Sequence, residues 1–179
     1  MTANMTHVLV IAELERGQVK AATLAAISCA QQIAQASGGS FDVLAMGHEV
    51  SAAGATVGKF GAGKVYLADS PELSNPQSDK SAQLVSALAK QVGANIVLAA
   101  SSTFSKDILP RVAAQLDAGM LTDVTAVTPE GGDWIFQRAL FAGNVIATVA
   151  LDGPVKVLTV RASAFPAPGE SAGTAAVAS

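Results

Sequence analysis

Five consecutive apolar residues, Ile96 to Ala100, run into three hydroxyl side chains, Ser101, Ser102 and Thr103, and then into a helix-period segment. An unbroken apolar run of this kind reads as a strand covered on both faces, and such strands belong to parallel sheets. The hydroxyls then stand at the strand's carboxyl end, the edge of an open parallel sheet where ligands bind. Beyond them Ile108, Val112 and Leu116 recur at i, i+4 and i+8 with Leu109 beside them, and a second buried strand reaches Val127. Asp107 and Arg111 make an i, i+4 ion pair with the acid nearer the N-terminus. Pro110 limits where this helix starts. With Asp107 as N-cap the proline falls in the first turn, where its missing N–H costs nothing, so the helix is expected to begin there.

The rest of the chain repeats this alternation. Strands are predicted at His7–Glu13, Phe41–Gly47 and Lys64–Ala68, with helices at Lys20–Ser37, about Val50–Phe60, and from Asn75-Pro76 to Gly93. Leu24, Ile27, Ala30 and Ile33 form the first helix's inner face, and Leu84, Val85, Leu88 and Val92 the third's. Strand–helix–strand repetition requires right-handed crossovers and a parallel sheet with helices on both faces. After Val127 the rhythm changes. Trp134–Phe141, Val145–Leu151 and Val155–Arg161 are strand-like and separated by Ala142-Gly143-Asn144 and Asp152-Gly153-Pro154, both read as hairpin connections. The fold class is therefore α/β, a three-layer sandwich with a mostly parallel sheet and antiparallel strands added at the C-terminal end. The tail from Ala162 has no apolar period and reads as a linker.

Of the 179 residues, 50% are hydrophobic, 14% charged and 4% aromatic, a balance suited to helices packed closely on a sheet. So few charges leave an apolar surface, which points to a part covered by another domain or subunit. A net charge of −3 with no Lys/Arg cluster argues against nucleic acid. No apolar run approaches the roughly 18 residues of a membrane span, and MTANMTHVLVIAE lacks the marks of a signal peptide, so the expected location is cytoplasmic.

The individual signals have plain readings. Gly58 to Val65 nearly spells a phosphate loop, but Val65 replaces the Ser or Thr that holds magnesium, and the segment leaves a helix for a strand rather than the reverse. Cys29 is expected to be a buried inert thiol. His7 begins a strand; His48 follows one at its carboxyl end, within reach of a ligand but without a metal-binding pattern. No nucleophile elbow, paired acids or dinucleotide fingerprint occurs, so no catalytic or metal residue is assigned. Ser101 to Thr103 present hydroxyls for a phosphate or simply cap the turn. Arg138, between Phe136 and Leu140, is expected to face outward as a solvated or interface arginine.

Three segments together go further: AASSTFSKDILPRVAAQLDAGMLTDV (Ala99 to Val124), RALFAGNVIATV (Arg138 to Val149) and VLTVRASAFPA (Val157 to Ala167). With the opening HVLVIAE, they resemble the N-terminal domain of the electron transfer flavoprotein alpha subunit over essentially the whole chain. Phe104-Ser105 departs from the pattern, where a glycine is more usual before Lys-Asp. The resemblance implies an adenine nucleotide alpha hydrolase-like fold over residues 1–161 and a linker at 162–179 leading to a flavin domain. It also implies an electron carrier rather than an enzyme: a heterodimer with a beta subunit and one FAD. Such a heterodimer takes electrons from acyl-CoA and other dehydrogenases, as in fatty acid β-oxidation, to a quinone-linked or related respiratory acceptor. The FAD is expected mainly on the C-terminal domain, so no cofactor-binding residue is assigned here. Ser101, Thr103, Arg111, Asp123, Arg138 and Asn144 are the matching polar positions, with interface or structural roles implied. A nucleotide-binding module using the Ser101–Thr103 turn is the alternative.

Overall fold

The alternation of doubly covered apolar runs with amphipathic segments builds one nine-stranded sheet between two helical layers. The computed structural model describes residues 5–75, 77–171 and 175–178. In chain order the elements are β1 (His7–Ala12), the small hairpin β2 (Leu14–Glu15) and β3 (Gln18–Val19), α1 (Ala21–Ser37), β4 (Ser40–Gly47), α2 (Ser51–Val57), β5 (Lys64–Asp69), α3 (Ser78–Val92) and β6 (Ile96–Ala100). They continue with α4 (Thr103–Gln115), β7 (Gly119–Glu130), β8 (Asp133–Leu140), β9 (Val145–Ala150), β10 (Lys156–Val160) and β11 (Ala176–Ala178). The sheet order is β11-β5-β4-β1-β6-β10-β7-β8-β9. Only the β7–β8 and β8–β9 pairings in this sheet are antiparallel.

Strand alternation sorts the core into two layers. From β1, Val8, Val10 and Ala12 pack with Ile27, Ala30 and Ile33 of α1, while Leu9 and Ile11 pack with Val85 of α3 and Ile108, Leu109 and Val112 of α4. Small residues allow close contact. A Cβ on Gly39 would sit 2.0 Å from the Thr6 carbonyl oxygen, so only glycine fits where α1 hands over to β4.

Four local expectations are corrected. The segment Val155–Arg161 is not an antiparallel addition, and Asp152-Gly153-Pro154 is no hairpin turn. Instead β10 inserts between β6 and β7, parallel to both. All five of its residues are buried, which a strand satisfies only in mid-sheet, whereas β9 alternates between exposed and half-buried positions. Second, α4 starts at Thr103 rather than at Asp107. Ser102 is its N-cap, accepting from Ser105 N–H at 3.1 Å, while the Ser105 hydroxyl accepts from Ser102 N–H at 3.0 Å. Pro110 thus lies inside the helix, on its exposed side, and the carbonyl it leaves without a helical partner belongs to the exposed Lys106. Third, α3 begins at Ser78 with Gln77 as N-cap. Asn75 is exposed upstream of it, and Pro76 lies outside the described residues. Finally, Arg138 shares its face of β8 with the fully buried Phe136, so it points along the core side and not away from it.

After Arg161 the chain lies against the α1 side of the sheet. Phe165 is buried in that layer, Ser171 N–H donates to the Lys59 carbonyl at 2.7 Å, and β11 joins the edge of β5 in parallel. Residues 172–174 and 179 lie outside the described residues.

Candidate functional site

Two places carry side chains that the packing alone does not need. The first is the carboxyl edge of β6, β10 and β7. Thr159, fully buried in the otherwise apolar β10, needs a partner, because an unpaired hydroxyl is costly to bury. Its Oγ1 lies 2.8 Å from Ser101 Oγ and accepts from Asp123 N–H at 3.0 Å. Asp123 sits at a register shift in β7 with a left-handed backbone, φ 61°. That bulge turns its carboxylate toward Arg161, whose Nε donates to Oδ2 at 3.1 Å and whose Nη2 donates to the same oxygen. The Arg161 guanidinium holds the Asp123 carboxyl below the usual carboxylate range, with Ser101 and Lys106 adding to the effect, and Asp123 in turn raises the arginine. Ser101, Thr159, Asp123 and Arg161 are thus one network joining three strands.

The second place is an arm. Beyond the cover of α1, the outer parts of β8 and β9 carry Val145 at 45% and Ile146 at 56% exposure, and the turn between them carries Phe141 at 77%. Asn144 closes this turn: its Nδ2 donates to the Phe141 carbonyl at 2.9 Å, holding Phe141 and Ala142 in left-handed conformations. Arg138 stands at the arm's root with its Nε buried and without an acceptor.

Of the six positions singled out in the sequence, Ser101 and Asp123 come together at the carboxyl edge, and Arg138 and Asn144 belong to the arm. Thr103 is exposed in the first turn of α4. Arg111 is spent between helices, its Nε 2.9 Å from Asp79 on α3 and its Nη1 2.6 Å from Asp107 on α4. These contacts raise the arginine, and Asp107 is lowered by the Ser78 hydroxyl first and by Arg111 next. Thr159 and Arg161 were missed as site residues. A hydroxyl inside a doubly covered run and a charge closing it were the available signals.

The remaining candidates have structural settings. His7 lies 3.1 Å from Asp42 and accepts from or donates to Ser40 at 3.0 Å, at the amino edge of the sheet. His48 stands 3.8 Å from Asp69 beside a depression of about 280 Å³ at the carboxyl end of β4. Cys29 is buried, and burial pushes its thiol up. Gly58–Phe60 is a helical turn closed by left-handed Gly61 before β5, a helix end rather than a phosphate loop. No group of metal-ligating residues occurs among the described residues, and no helix among them is long and apolar enough to cross a membrane.

Ser101 is engaged with Thr159, and the Ser102 and Ser105 hydroxyls close each other's backbone groups, leaving Thr103 as the one open hydroxyl of that turn.

A family model described as Electron transfer flavoprotein domain matches residues 8–179. The electron transfer flavoprotein subunit alpha of Pseudomonas aeruginosa is 37% identical over 172 residues, covering 95% of this chain and 52% of the relative. A probable mitochondrial electron transfer flavoprotein subunit alpha of Caenorhabditis elegans is 32% identical over 176 residues, 98% of this chain and 51% of the relative. The mitochondrial subunit alpha of Arabidopsis thaliana is 33% identical over 161 residues, 88% and 44% respectively. The chain spans about half the length of these curated relatives. It belongs to the electron transfer flavoprotein domain family.

Proposed function

We propose that these residues form the N-terminal scaffold domain of an electron transfer flavoprotein alpha subunit, with the domain body in residues 1–161 and the connection to a flavin domain in 162–179. Its work is to dock a beta subunit and support the flavin domain, not to carry out redox chemistry itself. The FAD is then held chiefly by residues beyond this stretch. The assembled cytoplasmic heterodimer passes electrons from acyl-CoA and other dehydrogenases to a quinone-linked or related acceptor. The observation that carries the docking role is the arm. Phe141, Val145 and Ile146 are large apolar side chains left in water where β8 and β9 run on past their pairing with β7, the pattern of a surface that another chain covers. The network of Ser101, Thr159, Asp123 and Arg161 has a structural role in this reading: it fixes the start of the tail at the sheet's carboxyl edge.

The test is coexpression of the full-length alpha chain with its beta subunit. Val145→Glu combined with Ile146→Glu, which together place a charge on both exposed faces of the arm, is expected to weaken the heterodimer at least tenfold while leaving alpha folded by circular dichroism. An unweakened complex would rule the arm out as the docking surface. The nucleotide-module alternative expects AMP or ATP binding that falls on Ser101→Ala. The engagement of Ser101 with Thr159 speaks against it.

A further inference from the structure

Arg138 marks the point where one face of the arm leaves the core. Phe136, two residues earlier on that face, is fully buried, and Leu140, two residues later, is only partly covered. Across the strands Arg138 faces Val124 of β7 and Ala147 of β9, and Leu140 faces the exposed Val145. The guanidinium is therefore rooted among apolar groups. Its buried Nε has no acceptor, and the side chain makes no ion pair or hydrogen bond among the described residues. The acid nearest in register, Asp123 beside Val124, is already committed to Arg161.

A buried Nε–H left without an acceptor is an unsatisfied donor, which native structures resolve with an acceptor from elsewhere. The surroundings narrow what the acceptor is. A small hydrated anion favours several cations in open water, whereas Arg138 is a lone cation with Leu140 and Val145 on its own face and Phe141 at the tip. A carboxylate on a protein side chain, flanked by apolar residues that cover this rim, meets both demands, and it accepts the bidentate fork of a guanidinium. We propose that Arg138 is the anchor of the docking surface and takes a carboxylate from the partner subunit, an inference that rests on the reading of the arm given above. Arginine is enriched among the residues that dominate protein interfaces, and the apolar rim here is the setting in which such residues act.

The experiment compares heterodimers of the full-length alpha chain with the beta subunit, with dissociation constants measured by titration. Arg138→Met is expected to weaken the complex about thirtyfold or more, and Arg138→Lys less, since lysine keeps the charge but not the fork. Arg138→Glu is expected to abolish the complex, and reversing one acidic residue of the beta subunit to arginine to restore it. That restoration keeps the test valid even where a substitution disturbs the alpha chain. If Arg138→Met binds like the parent while the Val145→Glu, Ile146→Glu combination breaks the complex, the carboxylate assignment is overturned and the arm stands as the docking surface. If neither substitution weakens binding, both fall. Failure of every acidic reversal to restore Arg138→Glu also overturns the assignment.

Discussion

Asp123 combines a backbone and an electrostatic duty, and a single substitution separates them. Its left-handed backbone suits Asp or Asn better than other non-glycine residues. Asp123→Asn therefore keeps the conformation and the shape while deleting the charge opposite Arg161. The carboxyl is depressed in the folded state, so its contribution to stability is complete above the unfolded value of about 3.9 and is lost as pH falls through the lower folded value. The pair is partly exposed, with side-chain exposures of 40% and 25%, so solvent screening keeps the effect small. Urea unfolding at pH 7 and pH 3 is expected to show Asp123→Asn destabilised at pH 7 and closer to the parent at pH 3. An equal deficit at both pH values would assign the cost to the hydrogen bonds rather than to the charge. Asp107 and Asp133 are depressed as well, by Ser78 and Lys156 first, so the substitution flattens the acid limb without removing it.

At the level of elements, the start of α4 shows how a strong rule misleads when a weaker one is satisfied. Proline is best tolerated in a first turn, which favours a start at Asp107. Yet Ser102 and Ser105 close each other's backbone groups, and that cap needs no glutamate. Ser102→Ala is expected to cost about 1 kcal/mol in urea unfolding, with the denaturant slope unchanged, and Ser102→Asp close to nothing. A neutral Ser102→Ala would mean that tertiary packing alone fixes this end. The parallel strands were legible because continuous apolar runs and following helices leave one arrangement. The place of β10 was not, since its turn-like approach matches a hairpin and only the burial of both faces excludes one. The carboxyl-edge network was half legible for a similar reason. Ser101 and Asp123 flank apolar runs in plain view, while Thr159 acquires meaning only once β10 lies between β6 and β7. Arg138 was misread by one face: residues two apart on a strand share a side, and Phe136 takes that side into the core.

The whole molecule is asymmetric in what its two sides leave open. One edge of the sheet ends in β11 beside β5, with the tail lying against the α1 layer. The other ends in the arm, where exposed apolar side chains and the unpaired edge of β9 face water. The carboxyl edge between them, which in related architectures receives a ligand, is tied up by its own hydroxyls and by the Asp123–Arg161 pair. A dinucleotide needs donors for its pyrophosphate and an enclosed slot for its rings. The division of labour proposed above has a direct consequence. Residues 1–179 produced alone are expected to remain colourless after refolding with excess FAD, and to leave flavin fluorescence unchanged in titration. The same titration of the full-length alpha chain with its beta subunit is expected to yield a yellow, stoichiometric complex. Tight flavin binding by the short chain would move the cofactor into this domain and make its carboxyl edge, not the arm, the surface to mutate first.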